Sequence, residues 1–297
     1  PQDRTNNTMK LRYANAQVLA GELDKAIETY RRVLMAMPTD KALRRKLVGL
    51  YVRAGKKELA RTLYSEGLES WTSNLAPSVR ENVARIMSSD NSNAIPRERA
   101  MWFEQALKDI DRPPASDWRL HAGEMARLDQ FIVEYAQIHP DGVDQLGELV
   151  EVTKPALNEL DKGLELGKGA FVASAHIGLL YAGPIVLNKY GSPYSYVASV
   201  PDLDQPGISN GLISTSTNDV GTVGRRILKS LRANETVAIA IDGAGTPSTE
   251  MRTLFGKKIR LSDFVPRVAG RTGTPSYFPR ITLVEGRAQF GLVQLPL

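Results

Sequence analysis

Gly167-Lys168-Gly169-Ala170-Phe171-Val172-Ala173-Ser174-Ala175-His176-Ile177-Gly178 is the stretch on which the reading of the fold turns. A short apolar run bounded by glycines has the length and composition of a strand buried on both faces, as in a parallel sheet. The run ends at one of only three histidines in the chain, and Gly178 frees the turn behind it. In open α/β sheets, ligands and chemistry gather at the carboxyl ends of strands. An imidazole placed there can take up and return a proton near neutral pH, so His176 is a candidate general base. The same letters also suit a buried histidine bonded to backbone.

Beyond it a second apolar run begins at Ser195, and a polar loop covers Asp202 to Asn218. A helical stretch, Gly221 to Ala233, leads to a strand, Thr236 to Ile241, closed by Asp242-Gly243-Ala244-Gly245. Leu254-Phe255-Gly256 and Arg271-Thr272-Gly273-Thr274-Pro275 follow. This ordered set resembles the lauroyl/myristoyl acyltransferase family of lipid A biosynthesis, within the lysophospholipid acyltransferase-like superfamily. The family reads Ala-His-Phe-Gly-Asn-Trp-Glu, Asp-Gln-Asp-Ala-Gly, Phe-Phe-Gly and Arg-Thr-Gly-Ala-Pro in the same order. The similarity covers about residues 115–297. It implies an α/β domain, a mixed sheet flanked by helices, over residues 113–297.

The resemblance also implies a reaction. His176 would take the proton of an acceptor hydroxyl on a lipid, glycolipid or saccharide, which then attacks an acyl thioester on acyl carrier protein or coenzyme A. No bound cofactor is expected, the thioester being a co-substrate. Gly178, Gly243 and Gly245 would shape the substrate site, with backbone amides near the Asp242 turn stabilising the oxyanion. Arg252, Lys257, Lys258 and Arg260, on a hairpin, could hold a phosphate of the donor or of a glycolipid. A solvated charged hairpin explains the same residues without a ligand.

Three departures from the family pattern bear on this reading. Where the family has Glu or Asp five positions after the histidine, this chain has Tyr181. Leu179 replaces the family asparagine, and Ser199 or Val200 stands where an arginine is usual. Removing the orienting charge in a serine-protease triad costs about four orders of magnitude in rate. Three arrangements therefore stay open. Asp242 or Asp219 could complete the dyad from another loop, Tyr181 could orient the ring through its hydroxyl, or the site could bind without reacting. The last is the alternative: a degenerate acyltransferase fold serving as a binding or scaffolding subunit of an envelope or polysaccharide assembly machine. Asp242 can equally be read as a turn residue capping backbone donors.

The N-terminal third has a different grammar. Gly21, Ala26, Tyr30 and Leu34 recur as Gly55, Ala60, Tyr64 and Leu68, each 34 residues later, and Pro38 follows the first set. That is the period and small/large pattern of tetratricopeptide repeats, which stack helix pairs into a solenoid. Helix pairs are expected from about Asn7 to Pro38 and Lys41 to Trp71. A degenerate third unit follows, with helices near Ala76–Met87 and Arg97–Ile110. The expected domains are thus 1–112, an all-α tetratricopeptide-like solenoid, and 113–297, joined at Asp111-Arg112-Pro113-Pro114-Ala115, where two prolines stop a helix. Helices over Trp118–Ile138 and Val143–Glu148, a strand at Leu149–Val152 and a surface helix at Lys154–Leu166 complete the plan.

Composition narrows the function classes. With 42% hydrophobic and 24% charged residues the chain is an ordinary globular one. No cysteine is present, which excludes a disulfide framework, a thiol nucleophile and a thiolate metal site. His121 and His139 stand apart from each other and from carboxylates at metal-ligand spacing, so no metal is expected. Gly243-Ala244-Gly245 lacks the third glycine of a dinucleotide fingerprint, and Ser174 lacks a nucleophile-elbow context. Lys and Arg outnumber Asp and Glu by 20 to 14 in residues 1–112, against 18 to 19 in 113–297. The basic repeats point to a protein partner, with peripheral contact to an anionic membrane a further option. No nucleic-acid recognition motif is present.

Gly169 to Leu187 is the longest apolar stretch, but Gly178, Gly183, Pro184 and a histidine make it a strand followed by a helix, not a membrane span. A cytoplasmic location, peripheral at the inner membrane, is the expectation. No secretory signal is legible, although the chain begins at Pro1, not Met, and reads as trimmed. The resemblance leads one to expect another strand and helix beyond Leu297, a place where a missing acid could lie.

Overall fold

The computed structural model describes residues 2–72, 75–139, 142–204, 209–242, 249–284 and 286–296. The chain divides into two compact units, Pro1–Asn74 with Ala198–Gly224, and Leu75–Val197 with Arg225–Leu297.

The first unit is built on four helices, α1 (Gln2–Leu19), α2 (Leu23–Ala36), α3 (Lys41–Arg53) and α4 (Lys57–Thr72), each packed on the next. The 34-residue spacing has a direct physical counterpart. Ala26 and Ala60 are fully buried, Tyr30 and Tyr64 nearly so, and Gly21 and Gly55 turn the chain at φ of 79° and 73°. A Cβ at either glycine would meet no atom within 4 Å, so left-handed backbone, not space, selects the residue. Asp40 caps α3 by accepting from the Leu43 amide at 2.9 Å. The Tyr30 hydroxyl and the Lys46 ammonium both donate to Asn15 Oδ1, each at 2.7 Å.

The polar stretch after Ala198 packs on these helices. Leu203 joins their apolar core, Lys57 pairs with Asp204 at 2.7 Å, and the Ser216 carbonyl lies 2.5 Å from where a Cβ on Gly49 would stand. The short strand β4 (Leu212–Ser214) in this segment is buried throughout.

The second unit is α/β. Its helices are α5 (Val79–Met87), α6 (Arg97–Asp109), α7 (Trp118–Ile138), α8 (Val143–Leu146), α9 (Lys154–Leu164), α10 (Ala182–Lys189), α12 (Phe264–Thr272) and most of α11 (Val220–Arg232). Its strands are β1 (Val150–Val152), β2 (Ala170–Ser174), β3 (Tyr194–Ala198), β5 (Thr236–Ala240), β8 (Ser276–Val284) and β9 (Arg287–Gln294), with a separate hairpin, β6 (Thr249–Leu254) and β7 (Lys257–Ser262). Six sheet strands lie side by side in the order β1-β9-β8-β2-β5-β3. The β8–β9 pair is antiparallel and the rest are parallel, giving a mixed sheet. The expected stretch Gly169–Leu187 resolves into β2 and α10, and among the described residues no helix is long and apolar enough to cross a membrane.

The join between units differs from the one read at Asp111–Ala115. Compactness divides the chain after Asn74, because α5 packs on α7 and Val79 enters the core of the second unit. Helices read as a degenerate third repeat therefore count with the sheet. The apolar residues Trp102, Phe103, Ala106 and Leu107, expected on one inward face of α6, are not all covered: Ala106 is buried, whereas Phe103 is 39% exposed and lies against Trp118, ring centroids 4.8 Å apart and planes tilted by 43°.

The start of β2 is the tightest point of the sheet. Gly169 sits at φ 65°, and a Cβ there would come within 2.7 Å of the Glu235 carbonyl oxygen and 2.9 Å of Leu231 backbone. Both neighbours are main chain and cannot rotate away. Gly169→Ala should lower unfolding stability by about 2–4 kcal/mol in urea titration. Gly270→Ala in α12, where nothing lies within 4 Å, should instead gain about 0.5–1 kcal/mol.

Candidate active site

Strands β2 and β5 pair in parallel with Ser174 opposite Ala240, and the Ile241 amide extends the ladder to the Ser174 carbonyl at 2.8 Å. His176 and Asp242 each lie two residues past that last pair. They emerge side by side at the carboxyl ends of neighbouring strands. A three-residue turn centred on His176, closed by the Ile177 amide on the Ala175 carbonyl at 2.7 Å, aims the imidazole sideways.

Asp242 holds the histidine at two points. Its two carboxylate oxygens accept from the His176 backbone amide, each at 2.9 Å, and Oδ1 lies 2.7 Å from His176 Nδ1. A carboxylate only accepts, so Nδ1 carries the proton and Nε2 is left with its lone pair. The bond to Asp242 raises the His176 pKa, against burial and the positive charge of Arg99. Burial works to raise the Asp242 pKa, but hydrogen bonds from the His176 ring and amide outweigh it and the net shift is downward.

Two site residues were not singled out in the sequence. Asp129, on α7, accepts the Tyr181 amide at 2.8 Å and so anchors the start of α10. Burial pushes its pKa up to about 7, despite hydrogen bonds from the Tyr181 and Leu180 amides and the pull of His176. Arg99, on α6, places a cation near enough to lower the His176 pKa. An acid one position after the buried Leu128 in an apolar helix was the available signal for Asp129. Nothing in the local sequence marked Arg99.

Tyr181 caps α10, gives its amide to Asp129 and packs its ring on the apolar core; the acid at His176 Nδ1 is Asp242. Leu179, in the family's asparagine position, is a core residue, 1% exposed. Asp219 accepts from the amide and hydroxyl of Thr222 at 2.9 and 2.6 Å, a helix cap in the other unit. Gly178 turns the loop at φ 63°. Gly243 and Gly245 lie outside the described residues.

The basic hairpin does not present one cluster. Arg252 pairs across the ladder with Ile259 and Leu254 with Lys257, whereas Thr253 faces Lys258 and Met251 faces Arg260. Since side chains alternate, Arg252 and Lys257 share one face, and Lys258 and Arg260 the other. Arg252 also pairs with Glu250.

His121, read as standing apart from carboxylates, has two beside it. It stands between two acids, Nδ1 at 2.9 Å from Glu124 and Nε2 at 3.0 Å from Asp117, one helical turn to either side. The Glu124 bond leads in raising its pKa, and the ring bridges the two acids most strongly when protonated. His139 ends α7 and packs its ring against Tyr135, centroids 4.6 Å apart and planes tilted by 45°. Among the described residues no group of His, Cys, Asp and Glu is placed to hold a metal.

No family model matches the chain. Among curated proteins it is similar to the Vi polysaccharide export protein VexE of Salmonella typhi, 24% identical over 268 residues. That match covers 90% of this chain and 40% of the relative, so the chain spans about two-fifths of that protein's length.

The shifts set opposite pH signs. His176, with a raised pKa, contributes stability in full below about pH 6.5 that is lost as pH rises through its folded value. Asp242, with a lowered pKa, contributes above about pH 4 and loses it as pH falls through its folded value. Asp129 runs the other way. Between about pH 4 and its folded value the native state keeps a proton the unfolded chain has released, so stability declines as pH rises. Asp129→Asn should therefore stabilise the protein relative to wild type most at pH 8, by less at pH 5 and hardly at all below about pH 4, read from unfolding midpoints. An NMR titration should find His176 above its ordinary pKa and Asp242→Asn bringing it down.

Proposed function

We propose that the α/β unit is an acyltransferase-type domain, moving an acyl group from a thioester of acyl carrier protein or coenzyme A to a hydroxyl of a lipid, glycolipid or saccharide. One observation carries the reading: a histidine and an aspartate from adjacent parallel strands meet in a hydrogen-bonded dyad at the carboxyl end of the sheet. Asp242 holds the tautomer, and Nε2 accepts the acceptor's proton as its oxygen attacks the thioester carbonyl. The imidazolium then formed is stabilised by the carboxylate and returns the proton to the departing thiolate. Arg99 would supply positive charge close to the reacting groups, the part given up at Ser199 or Val200.

In this reading α1 to α4 are two tetratricopeptide-type repeats whose basic surplus meets a protein partner at the membrane face of an envelope polysaccharide system. The similarity to a polysaccharide export protein supports that setting. The printed role of that relative, export, also favours the second reading, in which the fold binds or scaffolds and no longer turns over.

Acyl transfer and thioester hydrolysis, followed by intact mass with a panel of both donor types, decide between them. His176→Ala should lower turnover by about 10²–10⁴-fold. Asp242→Asn should lower it by up to about 10⁴-fold, while Tyr181→Phe stays close to wild type. Absence of turnover by wild type with every donor would favour the scaffold.

A further inference from the structure

The β6–β7 hairpin forms its own two-stranded sheet, and its far end is exposed on both strands. Two large apolar side chains are displayed there, Leu254 and Phe255, each 40% exposed, with Met251, 54% exposed, three rungs back on the opposite face. Leu254 pairs with Lys257, so Phe255-Gly256 is a two-residue loop, and both residues have positive φ, 46° and 71°. That is the type I′ geometry, in which asparagine or glycine sits without strain at the first position. A phenylalanine there is strained and still leaves 40% of its surface exposed, a pattern that suits contact outside the chain.

Around the apolar tip the charge is positive. Over Thr249–Ser262 there are four basic residues and one acid, a net charge of +3. The two ladder faces each carry cations, so the tip is collared, not flanked on one side. Lys257 holds its ammonium 5.8 Å above the Trp102 ring, and Met101 and Phe103 beside Trp102 are 56% and 39% exposed. Apolar tip, aromatic neighbours and basic collar are the elements of an interfacial membrane anchor.

We propose that this hairpin docks the protein on an anionic bilayer, with Leu254 and Phe255 entering the headgroup–acyl boundary and Lys257, Lys258 and Arg260 engaging lipid phosphates. An acidic protein would be met by the cations alone. The strained, outward phenylalanine favours a medium that accepts an apolar wedge. The base of the hairpin joins the candidate site, since the Ser262 amide donates to the Ile241 carbonyl at 2.6 Å, next to Asp242. A bilayer held by the tip would lie on the same strand end as the dyad. The docking itself stands whether or not His176 turns over a substrate.

Sedimentation of the chain with vesicles of phosphatidylcholine alone, or mixed equally with phosphatidylglycerol, tests this. Wild type should bind the anionic vesicles, with binding that weakens as salt rises, and should largely ignore the neutral ones. Phe255→Asn suits the left-handed turn, so it should unfold no earlier than wild type while its vesicle affinity drops on the order of tenfold. Lys258→Gln and Arg260→Gln should each cost about fivefold, and His176→Ala should bind like wild type. Wild type that ignores anionic vesicles, or Phe255→Asn that binds them equally well, would overturn the proposal. Binding to an acidic carrier protein, lost in Lys258→Gln with Arg260→Gln and unaccompanied by vesicle binding, would assign the surface to a protein instead.

Discussion

The parallel pairing of β2 with β5 is the constraint on which the candidate site depends. Its register puts Ser174 opposite Ala240, so the residues two places on, His176 and Asp242, leave the sheet together. A slip of one residue would turn one of the two side chains to the opposite face. The pairing is locked where it begins. Asn234, at φ 59°, accepts the Gly169 amide at 2.9 Å, and the Ala170 amide reaches the Glu235 carbonyl at 3.2 Å. The close approach of Gly169 to Leu231 and Glu235 backbone permits no side chain at that point. Strain and fit at the start of the strand thus set the geometry of the dyad at its end.

Two carboxylates serve the same short loop and are driven in opposite directions. Asp242 is partly buried but receives three hydrogen bonds from one residue, enough to keep it ionised beside a ring that gains charge. Asp129 receives backbone amides only, in a less hydrated position, and burial prevails. Environments that separate two acids in this way are how one site obtains an ionised and a protonatable group at the same pH. Asp129 also ties the loop after His176 to α7, so the imidazole is positioned by a helix as well as by two strands.

In the helical unit the period-34 positions do what buried small and aromatic residues must do between stacked helices. The segment from Ala198 to Gly224, polar in composition, is held there by details that composition does not reveal. Leu203 fills the helical core, Asp204 meets Lys57, and Gly49 is small enough to admit the Ser216 backbone against α3. Ser214 is fully buried because its hydroxyl donates to the Val200 carbonyl at 2.7 Å.

Local order was legible in the sequence wherever the signal was periodic or punctuated. The repeat of Gly21, Ala26, Tyr30 and Leu34 marked the helix pairs. Trp118–Ile138 was bounded correctly by its apolar period, and glycines framed β2. His176 stood out because a strand ended on it. The acid that pairs with it was one of several candidates, beside Asp219 and Tyr181, since Asp242 lies 66 residues away and its nearness follows from strand order. Tyr181 stands at the family's acid position, five residues on, but α10 begins there and directs its amide to Asp129. Likewise the basic hairpin reads as one cluster and is split between two faces by the two-residue period of a strand. The sequence by itself determined the elements and the histidine, through hydrophobic period and turn chemistry acting over a few residues. The tertiary structure alone decided which acid and which cation meet that histidine, because contacts between distant residues are set by sheet register and helix packing.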